Sequence, residues 1–185
     1  METLPERTGL PLASASQHLQ QLRRAGLVEG RRVGRHVRYR LRDDAVAGLL
    51  AALRRVAERN LAEVQQIVAA YFTSRDRLEP VSRAGLLARL REGSVTLLDV
   101  RPEDEFAAGH LPGALNVPLD RLDAAIATLP RDREVIAYCR GPYCVLSFDA
   151  IDALRRRGFR ARRLEDGFPE WKAAGLAVEA ASPRP

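Results

Sequence analysis

Val135-Ile136-Ala137-Tyr138-Cys139-Arg140-Gly141-Pro142-Tyr143-Cys144-Val145 runs from an apolar, β-like segment through a cysteine and a short loop into a helical pattern. Val135 to Tyr138 read as a buried strand, Gly141-Pro142 as a tight turn, and Val145 to Arg157 as an amphipathic helix. The first N–H groups of such a helix have no partner inside it and point back into the loop. Amides gathered at a helix N-terminus stabilise an anion, so the arrangement favours a Cys139 thiolate over the thiol of an ordinary cysteine, whose pKa is about 8.5. The alternative is a buried, inert cysteine. A Gly-Pro loop opening a helix is a costly way to house a spectator, which argues for the reactive reading.

Outward from this loop the pattern is α/β. Val95 to Val100 is a continuous apolar strand ending in Asp99-Val100-Arg101, and Leu115 to Val117 is a second, short one, with helical stretches between the strands. Runs without alternation indicate a parallel sheet covered by helices on both faces. Asp99 and Arg101, at a strand end, are expected to orient loops through hydrogen bonds. His110 reads as a loop-anchoring side chain, because an already ionised thiolate needs no general base. Trp171 is expected in the core.

The first part of the chain carries a different signal. Arg31, Arg32, Arg35, Arg38, Arg40 and Arg42 lie in one short stretch without an acidic residue among them, and Val33, Val37, Tyr39 and Leu41 alternate with them. That is a β-hairpin with a basic tip, for which phosphate is the natural partner. Upstream, Leu12, Ala15, Ser16, Leu19, Leu22 and Leu27 mark one helical face, while Ser14, Gln17, His18, Gln21 and Arg24 occupy much of the other. Short polar side chains on a free helix face suit base edges and phosphates in a major groove. The alternative is a solvated helix followed by an arginine-rich hairpin.

After Asp43 and Asp44, an N-terminal cap, Val46, Leu49, Leu50, Leu53, Val56, Ala57, Leu61, Val64, Ile67, Val68, Tyr71 and Phe72 recur at intervals of three and four. The spacing predicts a helix of about 28 residues, roughly 42 Å long, and dimerisation along its apolar seam. The alternative is that the stripe packs on the chain's own second domain. Thr73 to Pro80 is polar and ends in proline, as a linker does.

Composition sets the outer limits. In 185 residues, 46% hydrophobic and 29% charged, there is room for one large domain or two small ones, and nothing suggests a fibre. Of the 30 basic residues only Lys172 is lysine, and the net charge of +6 is compatible with nucleic acid. Two cysteines five positions apart are too few for a disulfide framework and point to catalytic or redox use. Met1 to Leu10 lacks an apolar signal core, and no run approaches the roughly 18 apolar residues of a membrane span, so a soluble, cytoplasmic protein is expected.

Two resemblances follow from these residues. Leu98-Asp99-Val100-Arg101, the segment from Glu105 to Pro118, and Glu165-Asp166-Gly167-Phe168-Pro169-Glu170-Trp171 stand in the order of the rhodanese domain, with the Cys139 loop between the second and third. The resemblance covers about residues 81–179 and implies a sulfurtransferase. In it, Cys139 takes sulfane sulfur from a small donor as a persulfide and passes it to a thiol or other nucleophilic acceptor. The loop Cys139, Arg140, Gly141, Pro142, Tyr143, Cys144 would hold the persulfide on its amides. Many rhodaneses have arginine where this chain has Cys144, so Arg140 is the substitute candidate for binding the donor. Related phosphatases need a longer loop closed by arginine; Val145 stands there, which argues against phosphatase chemistry. Cys144 is either a resolving thiol, which attacks a persulfide and closes a Cys139–Cys144 disulfide, or a small hydrophobe starting the helix.

Ala13 to Val28 is similar to the recognition helix and its exit in ArsR-type winged helix-turn-helix regulators, over roughly residues 6–42. Members of that family carry two more helices on the N-terminal side, for which this chain has no room, so a shortened domain is expected. The resemblance implies contacts to double-stranded DNA from Ser14, Gln17, His18, Gln21, Arg24, Arg31, Arg32, Arg35 and Arg38. No cysteine precedes Cys139, so no metal site of the ArsR kind is expected, nor any cofactor.

The chain is therefore expected to hold a partial winged helix-turn-helix with a dimer helix over 1–72, a linker over 73–80, an α/β rhodanese-like domain over 81–179 and a tail over 180–185. The function expected is a homodimeric transcriptional regulator that takes up sulfane sulfur on Cys139. The alternatives are a sulfurtransferase whose N-terminal segment serves dimerisation, and a Cys139/Cys144 thiol-disulfide redox protein.

Overall fold

The computed structural model describes residues 8–73 and 80–180, so most of the expected linker and tail lie outside the described residues. The chain divides into two compact units, up to Leu50 and from Ala51 onward.

In the first unit α1 spans Leu12–Arg24, and Gly26, in the left-handed region at φ +75°, lets the chain turn out of it. Strands β1, Val28–Val33, and β2, His36–Leu41, form the antiparallel hairpin expected from the alternation. Its two-residue turn begins at Gly34, whose φ of +61° suits a residue without a Cβ. Asp43 then accepts a hydrogen bond from the Val46 N–H at 3.2 Å, the expected cap of α2, Asp44–Asn60. Among the described residues of this unit only Ala15, Val46 and Ala47 are buried, while Leu12 is 75% exposed and Leu49 59%. The apolar faces are thus only partly covered.

The helix read as continuous to Phe72 is broken. Leu61 adopts φ −107° and ψ 111°, and α3, Ala62–Ile67, and a π-helical turn, Val68–Thr73, follow. Side chains supply what the break removes: the Asn60 amide donates to the Val56 carbonyl at 2.8 Å and the Gln65 amide to that of Arg59 at 3.1 Å. Short amides compete for backbone partners in this way at helix ends. A periodicity count cannot register it.

The rest of the second unit is an α/β domain. Its elements are α4 (Arg83–Arg91), β3 (Val95–Asp99), α5 (Glu103–Ala108), β4 (Leu115–Asn116), α6 (Leu122–Ala125), β5 (Glu134–Tyr138), α7 (Val145–Arg156), β6 (Ala161–Arg163) and α8 (Phe168–Ala173). All pairings in the sheet are parallel and its order is β4-β3-β5-β6. Period-two geometry sends Val135, Ala137 and Cys139 into one apolar cluster with Leu98, Ile151 and Leu154, and Ile136 and Tyr138 into another with Leu86, Leu111 and Trp171. Both faces of the sheet are covered, which is why its strands read as unbroken apolar runs. Among the described residues no helix is long and apolar enough to cross a membrane.

Candidate functional site

Strand β5, interior to the sheet, delivers Cys139 to its C-terminal end, where open parallel sheets place their ligands. Cys139 is buried, at 1% exposure, and the next five residues loop over into α7. The Cys144 N–H closes the loop onto the Gly141 carbonyl at 3.1 Å. The Cys144 carbonyl accepts from the Ser147 N–H at 3.1 Å and from its hydroxyl at 2.8 Å. The sulfurs of Cys139 and Cys144 are paired as a disulfide, with Cα atoms 6.1 Å apart, inside the usual range for such a bond.

The loop is held from several directions. The Phe168 N–H donates to the Cys139 carbonyl at 2.9 Å. Gly167 lies flush on the loop backbone: a Cβ there would stand 2.1 Å from the Gly141 nitrogen and 2.4 Å from the Arg140 carbonyl carbon. No other residue fits that approach. Arg163, buried on β6 and stacked 3.8 Å from the Phe148 ring, donates to the Pro142 carbonyl at 3.0 Å. Arg140 forks onto Glu105, both carboxylate oxygens lying 3.0 Å from its Nε. That guanidinium, the one expected to stand in for the donor-binding arginine, is thus paired with Glu105 and remains about a third exposed.

The outer side of the loop meets residues that precede the α/β domain but belong to the same unit. The Tyr143 hydroxyl donates to Glu58 at 2.6 Å, and its ring lies 4.7 Å from that of Phe72. Burial and the bond to Glu58 push the Tyr143 phenol up to about 12. Arg54 donates to Glu170 Oε1 at 3.0 Å, while Glu170 Oε2 accepts the Gly167 N–H at 3.1 Å.

Asp99 and Arg101 orient loops, as expected. Their buried ion pair measures 2.5 Å, and Arg101 also donates to the Gly109 carbonyl at 2.7 Å. His110 is stacked on Phe106 and its Nδ1 lies 2.9 Å from the Phe106 carbonyl, which can only accept, so that nitrogen carries the proton. Trp171 is core, its indole N–H satisfied by the Ala177 carbonyl at 2.9 Å. Among the described residues no group of three or more His, Cys, Asp or Glu side chains is placed to hold a metal.

In the first unit Gln17, His18, Gln21 and Arg24 are exposed on α1 and Ser14 is half-buried. Arg31, Arg32, Arg35 and Arg38 are exposed on the hairpin, with Arg31 and Arg38 directly opposite in register.

Sequence reasoning assigned no role to Arg54, Glu58, Glu105, Arg163, Gly167 or Glu170. Arg54 and Glu58 are a legible i,i+4 pair, but helical spacing does not say what such a pair faces.

The family model of the rhodanese-like domain matches residues 82–174. The chain is 43% identical over 183 residues to the HTH-type transcriptional regulator Rv0324 of Mycobacterium tuberculosis, covering 99% of this chain and 80% of that protein. It is 33% identical over 87 residues to a sulfurtransferase of Allochromatium vinosum, covering 46% of this chain and 79% of that one. Among solved structures the BH2092 protein of Bacillus halodurans superposes with a TM-score of 0.52 at 24% identity, over 60% of this chain and 84% of that one. A protein from Lactobacillus plantarum does so with a TM-score of 0.53 at 22% identity, over 63% and 97%. These two structures bear on the fold alone.

Proposed function

Because the chain belongs to the family of rhodanese-like domain proteins, we propose that it is a DNA-binding transcriptional regulator whose α/β domain takes sulfane sulfur onto Cys139 as a persulfide. The observation that carries the reading is the placement of Cys139 at the end of an interior parallel strand, under a short loop whose backbone Gly167 presses into place. A sulfur at that point lies within the loop that opens α7, where backbone N–H groups favour an anion. Transfer then needs no general base: the thiolate attacks the sulfane sulfur, the donor's leaving group departs with the electron pair, and an acceptor nucleophile later takes the outer sulfur.

The regulatory half rests on the first unit and on the likeness to a protein named as a helix-turn-helix regulator. The exposed polar face of α1 and the basic hairpin suit double-stranded DNA in the manner of the ArsR-type winged helix. Exposed Leu49, Leu53, Val56 and Ile67, at 59%, 62%, 47% and 60%, offer a second copy of the chain an apolar seam, so a homodimer is part of the reading. Its place of action is the cytoplasm, where DNA is.

The pairing of Cys139 with Cys144 supports a resolving role for the second thiol. The Cys144 thiolate attacks Sγ of the Cys139 persulfide, a disulfide forms, and hydrosulfide leaves with the bonding pair. Cellular thiols then reduce the disulfide.

The test is intact-mass and peptide analysis of the reduced full chain after exposure to thiosulfate or glutathione persulfide. One added sulfur on the Cys139 peptide, absent in Cys139→Ser and retained longer in Cys144→Ser, is expected. No added sulfur, or addition elsewhere, overturns the reading.

A further inference from the structure

The loop that follows Cys139 is held partly by the family domain and partly by residues that precede it. Arg163, Gly167 and Glu105 lie within residues 82–174. Arg54 and Glu58, on α2, do not, yet Glu58 reaches the loop directly and Arg54 reaches it through Glu170, all within the second unit. Glu58 accepts the Tyr143 hydroxyl at 2.6 Å, and Tyr143 immediately precedes Cys144, the residue from which α7 starts. The Tyr143 ring rests 4.7 Å from that of Phe72, which in turn lies 5.3 Å from Phe148 of α7. One carboxylate does two jobs: Glu170 accepts the Gly167 N–H through Oε2 and Arg54 through Oε1. Arg54 Nε also faces Glu58 at 3.4 Å, so a single guanidinium stands between two carboxylates. These groups are shielded, with Arg54 27%, Glu58 30% and Glu170 11% exposed, so solvent screens them less than a surface pair.

We propose that Arg54 and Glu58 are positioning residues of the Cys139 loop, acting through Glu170 and Tyr143, so that a helix outside the rhodanese-like match sets how the loop amides face the reactive sulfur. The proposal rests on the reading of Cys139 as the reactive group. Its physical content is pre-organisation: amides favour a thiolate only while the backbone is held in one geometry, and a loop released at Tyr143 lets them turn away. It also gives α2 a stake in the state of Cys139, because a loop rearranged by sulfur loading must move against Glu58 and Phe72.

The test uses the reduced full chain with Cys144→Ser throughout, so that Cys139 alone reports, and follows its alkylation by iodoacetamide across pH. Tyr143→Phe and Glu58→Ala should each slow alkylation at pH 7 by about fivefold and raise the midpoint of the pH profile, with the double variant no slower than either single one. Glu58→Gln, which keeps an acceptor oxygen, should restore most of the rate. Loss of the Glu58 charge alone would lower the midpoint instead, so direction separates positioning from simple electrostatics. Unchanged midpoints, slower rates that multiply in the double variant, or a fall in Tm without a midpoint shift would overturn the proposal. Alkylation needs no sulfane sulfur: failure of sulfur uptake alongside shifted midpoints would count against the persulfide reading and leave the positioning claim standing.

Discussion

Gly167 illustrates how a backbone contact fixes the loop that follows Cys139. A methyl group there would overlap the Arg140–Gly141 peptide at 2.1–2.4 Å, so something must shift, and every atom it meets is main chain. Gly167→Ala should destabilise the domain by about 1–3 kcal/mol in urea unfolding and slow alkylation of Cys139, because the loop is what yields. Stability lost with alkylation intact would show that the α8 side moved instead. The Asp99–Arg101 pair makes the opposite kind of contribution. Both side chains are buried, at 0% and 3% exposure, and Arg101 reaches across to the Gly109 carbonyl. Arg101→Ala leaves a carboxylate without its cation and should cost about 3–5 kcal/mol, measured by the same unfolding transition. A cost below about 1 kcal/mol would mean that water reaches Asp99. The sequence made this pair readable as loop-orienting because both residues end a strand. It could not make Glu105 readable as the partner of Arg140, since 35 residues separate them and charge alone does not choose among neighbours.

At the scale of elements, β3, β4, β5 and α7 were legible to within a residue because each is an apolar run or a clean amphipathic face, whereas β6, three residues with two arginines, was not read as a strand. The segment from Asp44 to Phe72 was legible as helical but not as interrupted, since the break at Leu61 is compensated by Asn60 and Gln65 side-chain amides turning onto backbone carbonyls, which apolar spacing does not record. Nor did its periodicity tell which face would meet the Cys139 loop. Arg54, Glu58 and Phe72 do so, while Leu53, Val56, Leu61 and Ile67 remain 47–62% exposed. That exposed seam leads to an expectation at the same scale: Leu53→Glu should convert a dimer into a monomer in sedimentation equilibrium, and an unchanged mass would remove the seam from the interface. The hairpin offers another. Arg31 and Arg38 stand opposite each other across β1 and β2, on the hairpin proposed to meet DNA. Replacing each by alanine should weaken DNA binding and reduce the slope of log K against log salt by about 1 per arginine. Slopes that stay the same would place the phosphate contacts elsewhere.

For the whole molecule the proposed function joins two chemistries in one chain: sulfur uptake at the end of β5, and DNA contacts from α1 and the basic hairpin. The signals that led to both proposals are local, a cysteine opening a helix and an arginine run without acids. Contacts between residues distant in sequence, such as Tyr143 with Glu58, leave no such signal. The most direct measurement is fluorescence anisotropy of the full chain on the DNA upstream of its own gene, in a salt series, before and after loading with a sulfane-sulfur donor. The account predicts binding that weakens steeply with salt, that changes on loading, and that stops changing in Cys139→Ser. Binding that ignores loading, or an equal response in Cys139→Ser, would contradict it.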